Sequence, residues 1–363
     1  MNWYQLDVIR SETKVVTIEY QPAMKSTNDR ALQVLRDAGV GDRHDLVRLP
    51  LLVLTDNQWG GRGQGNRKWI SNQGNLAMTL CVPLDDRFAS ARLPLMVGLA
   101  ICQALESSMK ISSLELKWPN DLRVGSRKLG GILVESIWLP QPMPFPGSSS
   151  PSLNQDSSEP GSSPCDNDDG RNDLDRVVDD VDLWSRDSES SSPHRTRVAI
   201  IGIGVNVNVP IDLSGSDSKT GLRKQEEHEE HEKNYESFAE TKKDSKTVDT
   251  SANPTISLAE LSADSPSSQI ELTPLVIACV QHLLELIHHV ESHLTETQQI
   301  EKDELLRQSI ESRMKLPREK IEIELPTGEV VCGRCLGLGK QGELIIETST
   351  GLRQIASGNV RFW

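Results

Sequence analysis

Over residues 15–20 apolar and polar side chains follow the two-residue period of a strand, and the rhythm then changes. Ser26, Thr27, Asn28 and Asp29 offer helix-capping side chains ahead of helical spacing in DRALQVLRDAG, with Gly39 as its stop. Residues 49–54 are a short apolar run suited to a buried strand, and they lead into the glycine-rich stretch 60–69. Residues 75–82 predict the next strand, and 95–109 a helix slightly weakened by Gly98. Residues 113–118 and 128–137 predict two strands joined by a turn containing Gly125 and Ser126, and 197–209 a third. Helical spacing returns over 272–294 and 300–314. In the first of these Leu275, Ala278, Cys279, Leu283, Leu286 and Ile287 share one side, a face that should pack on the sheet. From Lys315 onward, short strands separated by Thr327-Gly328 and Gln341-Gly342 predict a small β-barrel. The expected class is therefore α+β: a mixed sheet with packed helices over 1–314, then the barrel over 315–363.

Two stretches break this order. Residues 139–194 are dominated by Ser, Pro, Asp and Gly, and 211–262 carry a Glu, Lys and His run without an apolar stripe. Neither buries enough apolar surface to offset ordering entropy, so both read as disordered inserts, with Trp184 and 177–181 leaving room for a short docking element. They carry twelve acidic residues each against three and seven basic ones, which leaves 29 of each sign elsewhere. The net charge of −14 thus belongs to the inserts and says nothing about a charged substrate.

Composition adds a setting. Cysteines at 81, 102, 165, 279, 332 and 335 lie mostly in apolar stretches of a chain with no secretory signal, which fits a reducing compartment. Residues 1–16 lack the charged and apolar regions of a signal peptide, and Asp7 and Glu12 argue against an organellar transit peptide. No apolar run reaches transmembrane length, so a soluble, cytoplasmic protein is expected.

Four segments carry candidate chemistry. In GGRGQGNRKW (60–69), Gly61, Gly63 and Gly65 permit close backbone approach, so amide N–H groups can converge on an anion while Arg62 and Arg67 add fixed charge. A glycine-rich surface turn with solvated arginines is the competing reading. In KWPND (117–121), Pro119 bends the chain away from a ladder and sets Asn120 and Asp121 at a rim; an ordinary Pro-Asn-Asp turn explains it equally well. Lys128 opens KLGGIL, where a lysine followed by two glycines can bring its ammonium against a ligand, or else be a solvated turn residue. Gly202, Gly204 and Asn206 sit in a β-branched run, where a strand glycine marks a bulge or a ligand lying on the backbone.

In this order, the four segments resemble the catalytic domain of the biotin protein ligase family. The likeness covers nearly everything from about Val15 to the end, inserts aside. The resemblance implies a biotin/lipoate ligase fold, class II synthetase-like, with an SH3-like C-terminal module. It implies ATP-dependent formation of biotinyl-5'-AMP and transfer of biotin to a lysine of a carrier domain. Lys128, Arg62 and Asp121 would be catalytic: Lys128 bridges the biotin carboxylate and the α-phosphate, Arg62 fixes the carboxylate, and Asp121 receives or orients the acceptor lysine. Ser26, Thr27, Asn28, Gln58, Gly61, Gly131 and Gly204 would line biotin together with Arg62 and Lys128, with Gly130 and Leu133 shaping the wall. Arg67, Trp69, Asn120 and Asn206 would hold ATP, with Trp69 stacked on adenine. Gln64 departs from the bacterial GRGRRGR pattern, keeping a donor but losing a charge.

Magnesium accompanies ATP in this reading, with no protein-held metal. The partners implied are biotin carboxyl carrier domains of acetyl-CoA, pyruvate and propionyl-CoA type carboxylases, with the enzyme a monomer or homodimer and no nucleic acid or membrane partner. Lipoate ligation is the alternative within the superfamily. A biotin-sensing DNA-binding repressor is less favoured, because no basic patch suits DNA. Cys332 and Cys335 form one CxxC without a second ligand pair, and His282, His288, His289 and His293 have no acidic partner pattern, so neither group reads as a metal site.

Overall fold

The computed structural model describes residues 1–39, 48–84, 91–112, 114–140, 195–209, 254–262, 269–291, 295–316 and 320–361. The chain opens with a helix that the apolar pattern did not predict, α1 (Trp3–Thr13). Its start is a capping box: Asn2 Oδ1 accepts from Gln5 N at 3.0 Å and Gln5 Oε1 accepts from Asn2 N at 2.9 Å. Only Leu6, Ile9 and Thr13 are buried, and α1 packs on a later helix, α5.

Strand β1 (Thr17–Met24) passes through α2 (Thr27–Gly39) to β2 (Leu51–Arg62), and β1 and β2 run parallel with Met24 opposite Gln58. This βαβ crossover sets the start of α2 beside the end of β2. After a 3₁₀ turn at Gln64–Asn66 come β3 (Lys68–Ser71), β4 (Leu76–Pro83), α3 (Arg92–Met109) and β5 (Glu115–Lys117). Next, β6 (Asp121–Val124), missed in the sequence because it is four residues long and follows Pro119-Asn120, pairs with β7 (Arg127–Pro140), itself paired with β8 (Arg195–Val205). The sheet order is β1-β2-β4-β8-β7-β6-β5, with β3 on β2.

Alternation along these strands gives the sheet two faces. Ile201, Ile203, Val205, Ile132 and Val134 join one buried cluster with α1, α3, α5 (Leu272–Glu291) and α6 (Glu296–Met314). Val198, Ile200, Ile137, Leu51 and Val53 turn the other way, against Ala31, Leu32 and Leu35 of α2.

Two expectations change. The second insert does not extend to 262: Pro254 O accepts from Lys128 N at 2.8 Å, and Ile256 N donates to Lys128 O at 3.0 Å. Ile256 and Leu258 are fully buried, and α4 (Leu258–Leu261) starts at a Ser257–Glu260 capping box. Two apolar residues at the end of a polar run carry this strap, too short a signal to register as periodicity. The first insert starts later than expected, because Leu139 and Pro140 pair with Thr196 and Arg195; residues 141–194 and 210–253 lie outside the described residues.

The C-terminal strands are β9 (Ile321–Glu324), β10 (Val330–Leu338), β11 (Leu344–Thr348), β12 (Gly351–Ile355) and β13 (Asn359–Val360). They form an antiparallel sheet in the order β12-β11-β10-β9-β13, and among the described residues no pairing of β12 with β13 closes it. The closed barrel is therefore corrected to an open five-stranded sheet; β13, at two residues, is too short to bridge the gap. This sheet is bonded to the first: Trp118 Nε1 donates to Gly342 O at 3.0 Å, and Leu338 N donates to Glu311 of α6 at 2.6 Å. Among the described residues no helix is long and apolar enough to cross a membrane.

Because Pro140 and Arg195 face each other across one ladder step, the chain leaves and re-enters the sheet about 5 Å apart. Replacing residues 141–194 with a short Gly-Asn turn is expected to leave the melting temperature within a few degrees of the parent. A circular-dichroism melt checks this, and loss of cooperative unfolding would show that the segment holds the sheet.

Candidate active site

Directly opposed residues of antiparallel strands share a face. The ladder places Asp121 opposite Gly131, Gly131 opposite Gly204, Gly204 opposite Ala77, Leu133 opposite Gly202 and Gly202 opposite Thr79. Glu135, two further along β7, points to this side as well. The middle of the face is thus almost bare of side chains, and other elements descend onto it. A Cβ at Gly202 would sit 2.2 Å from Asn28 Oδ1, and one at Gly204 2.3 Å from Trp69 Nε1. At Gly131 it would meet Lys128 Nζ at 3.6 Å.

The start of α2 supplies one wall. Ser26 acts as the cap, its Oγ accepting from Asp29 N at 3.2 Å. Thr27 N donates to Gln58 Oε1 at 2.8 Å, and Thr79 Oγ1 donates to Asn28 Oδ1 at 2.6 Å while lying 2.8 Å from Thr27 Oγ1. Asn28 Nδ2 in turn donates to Glu135 Oε2 at 2.8 Å. All of these side chains are buried.

The glycine-rich loop supplies the second wall. Arg62 Nη2 reaches both oxygens of Glu135, at 2.8 and 3.0 Å, and Nε donates to Asp29 Oδ1 at 2.9 Å. Burial opposes the Arg62 charge, but Glu135 and Asp29 outweigh it and raise the guanidinium pKa. Gly61 must be small, since a Cβ there would lie 2.2 Å from Gln58 Nε2. Gly65 takes φ +65°, a left-handed geometry suited to glycine, and Arg67 Nε folds back onto Gln64 O at 2.8 Å. Between this loop and the C-terminal sheet opens a cavity of about 430 Å³, lined by Arg62, Gly63, Gln64, Gly65, Arg67, Leu133 and Glu135 on one side and by Leu325, Pro326, Gly358 and Asn359 on the other.

The third wall is cationic. Lys128 Nζ lies 2.5 Å from Asp121 Oδ1 and 5.5 Å from the centre of the Trp69 ring. Lys117, buried behind it, has its pKa lowered first by burial and then by Arg123, Lys128 and Arg67, with Asp121 opposing. Positive charge is concentrated here beyond what the carboxylates neutralise, as a site for a polyanion requires. Asn120 Nδ2 is bonded to Ile132 O at 2.7 Å, and Asn206 Nδ2 to Ile256 O at 3.2 Å. Asn206 Oδ1 and Trp69 Nε1 are buried with no partner among the described residues.

Asn28, Arg62, Trp69, Asp121, Lys128, Gly131 and Gly204 meet on one face, whereas Gly130 lies opposite Val205 and faces the core; several of the residues singled out in the sequence have different neighbours from those expected. Asp121 is engaged by Lys128, Gln58 by Thr27, and the backbone of Gly204 is covered by the Trp69 indole. The sequence reading passed over Glu135 and Thr79, whose only signal was strand register, and took Asp29 only as a helix-capping side chain. Cys81, Cys102, Cys279 and Cys335 are buried free thiols, Cys332 is exposed, and His282 Nδ1 lies 2.9 Å from Ala278 O on its own helix.

Residues 24–140 match the sequence model of the Biotin/lipoate A/B protein ligase family. A biotin–[acetyl-CoA-carboxylase] ligase of Paracoccus denitrificans is 38% identical over 86 residues, 23% of this chain and 36% of that protein. The bifunctional ligase/repressor BirA of Escherichia coli is 34% identical over 116 residues, 31% of this chain and 33% of its own length. Over this segment the chain is similar to the biotin protein ligase family. It spans about a third of the length of these curated relatives, and the stretch matched by the family model, 24–140, holds the glycine-rich loop, KWPND and KLGGIL. The fold of this chain also resembles a solved biotin protein ligase from Aquifex aeolicus in complex with biotin and ATP. The TM-score is 0.53 and the identity 17%, with 95% of this chain and 97% of that one covered.

The glycine face gives a direct check. Gly202→Ala forces Asn28 off the sheet, and overpacking of this kind costs on the order of 1–3 kcal/mol. Urea unfolding should show the midpoint fall; an unchanged midpoint would mean that Asn28 is not seated against this strand.

Proposed function

We propose that the protein is an ATP-dependent biotin protein ligase that makes biotinyl-5'-AMP and transfers biotin to a lysine of a carrier domain. The observation that carries this reading is convergence. Arg62 and Trp69 from the glycine-rich loop, Asp121 from KWPND and Lys128 from KLGGIL meet over a strip of sheet cleared by Gly131 and by Gly202 and Gly204 of the fourth segment.

In the first step the biotin carboxylate attacks the α-phosphorus of ATP, forming a mixed anhydride and releasing pyrophosphate. Both reactants are anions, so the barrier is largely electrostatic, and fixed donors in a dry site are the effective remedy. Arg62 would orient the carboxylate from the loop side. Lys128 would leave Asp121 to bridge the carboxylate and the α-phosphate. Thr27, Asn28 and Gln58 would take the polar ring end of biotin, and Trp69, Asn120, Asn206 and Arg67 the nucleotide. In the second step the acceptor amine attacks the activated carbonyl and AMP leaves, with Asp121, released by Lys128, positioned to orient the amine. The loop would order over the anhydride and keep water from it.

Among the described residues no group of three His, Cys, Asp or Glu is placed to hold a metal ion. Magnesium is assigned to ATP as its counter-ion, offsetting the repulsion between carboxylate and triphosphate. The C-terminal sheet is read as the family's SH3-like module, the partners as carrier domains of biotin-dependent carboxylases, and the setting as cytoplasmic, in keeping with the buried thiols.

The decisive assay supplies biotin or lipoate, Mg-ATP and an apo carrier domain, and weighs the product. A carrier heavier by one biotin is expected; a lipoylated carrier, or none, refutes the reading. Lys128→Ala should slow biotin-dependent pyrophosphate release by at least about a hundredfold, the scale of losing one preorganised charge donor. A near-normal rate would remove Lys128 from the chemistry.

A further inference from the structure

Arg62 is gripped unequally. Asp29, which takes Nε, is about one-third exposed, whereas the side chain of Glu135 is 3% exposed. Glu135 is itself fixed from the opposite side by Asn28, whose other amide atom is held by Thr79. Arginine loses rotamer freedom when held in one pose, and the buried, doubly bonded carboxylate is the more rigid of its two anchors. Among the described residues Nη1 makes no hydrogen bond, and Arg62 borders the 430 Å³ cavity. One edge of the guanidinium is thus anchored and the other presented.

We propose that Glu135 is a positioning residue for the carboxylate of the acid substrate: its charge pins Arg62 from below so that Nη1 faces the site. This rests on the biotin-ligase reading and names a residue that the family motifs do not assign. The same carboxylate joins the two ends of the binding groove, because it bonds Arg62 at one end and Asn28 at the other. Glu135 does not touch the substrate. A glutamine at 135 would keep an oxygen for Asn28 and lose only the charge that holds Arg62, so that change is specific to ligands that carry the anion.

The test compares binding of biotin with binding of biotinamide, which keeps the ring system but lacks the carboxylate, by calorimetry on the full chain. The wild type is expected to favour biotin at least tenfold. Glu135→Gln, which keeps the shape and loses the charge, should weaken biotin about tenfold while biotinamide stays within twofold. Glu135→Asp, with the charge drawn back by one methylene, should fall between. In an Arg62→Ala background Glu135→Gln should leave the biotin-to-biotinamide ratio unchanged. Equal weakening of both ligands, or of neither, overturns the proposal and leaves Glu135 a purely structural group. If Glu135→Gln melts below the assay temperature, Glu135→Asp enters the same comparison, with the same selective loss expected at smaller size. A wild type that binds neither ligand refutes the biotin reading itself, an outcome distinct from a wild type that discriminates beside a Glu135→Gln variant that still does.

Discussion

Steric vacancy on one face of the central sheet is the constraint that the site depends on. Three strand glycines, 131, 202 and 204, lie in register across β7 and β8, with Ala77 and Thr79 beside them on β4. Glycine in a strand interior weakens pairing and leaves nothing to pack, so its presence here costs stability. What it permits is approach. The α2 side chain Asn28 and the Trp69 indole come within a distance of the backbone that even a methyl group would forbid. The opposite face of the same strands carries Ile132, Val134, Ile201 and Ile203, which hold the sheet to α3 and α5 and supply the rigidity that the bare face lacks.

Onto that floor the chain lowers charge in pairs. Arg62 is matched to Glu135 and Asp29, and Lys128 to Asp121. Such pairs are poor sources of net stability, but removing one partner of a buried pair costs about 3–5 kcal/mol, because the survivor is stranded. The pairs therefore fix position more than they stabilise the fold. In the unliganded protein they also keep both cations from drifting to the surface. Lys117, crowded by Arg123, Lys128 and Arg67, marks where positive charge is left over.

How much of this was legible in the sequence depended on the length of each signal. Strands β4, β7 and β8 and helices α2, α3, α5 and α6 were read to within a few residues, whereas β2 was read only over its apolar start, 49–54, and runs on through the first glycines to Arg62. Helix α1 was missed because Leu6 and Ile9 are its only buried apolar residues and Trp3 and Tyr4 stay exposed; the Asn2–Gln5 capping box was the available clue. The strap at 254–258 was absorbed into a polar run since Ile256 and Leu258 stand alone. In the site, residues with distinctive chemistry in glycine-rich motifs, Arg62, Lys128 and Asn206, stood out. Glu135 and Thr79 did not, because a lone polar residue inside a strand shows its purpose only when register reveals which glycine it lies beside.

The tryptophan of KWPND has a separate consequence. Trp118 sits within a motif that reads as catalytic, yet its indole is fully buried and spends its one donor on the Gly342 carbonyl, a turn of the second sheet. Gly342 reaches that spot with φ +86°, where a Cβ would fall 2.5 Å from the backbone of Arg92 at the start of α3. The chemical segment and the C-terminal segment are thus keyed to each other like tenon and mortise. A hybrid that borrowed its last fifty or so residues from elsewhere would inherit a working joint only if the donor presented a carbonyl at that turn, on a residue small enough to clear the helix.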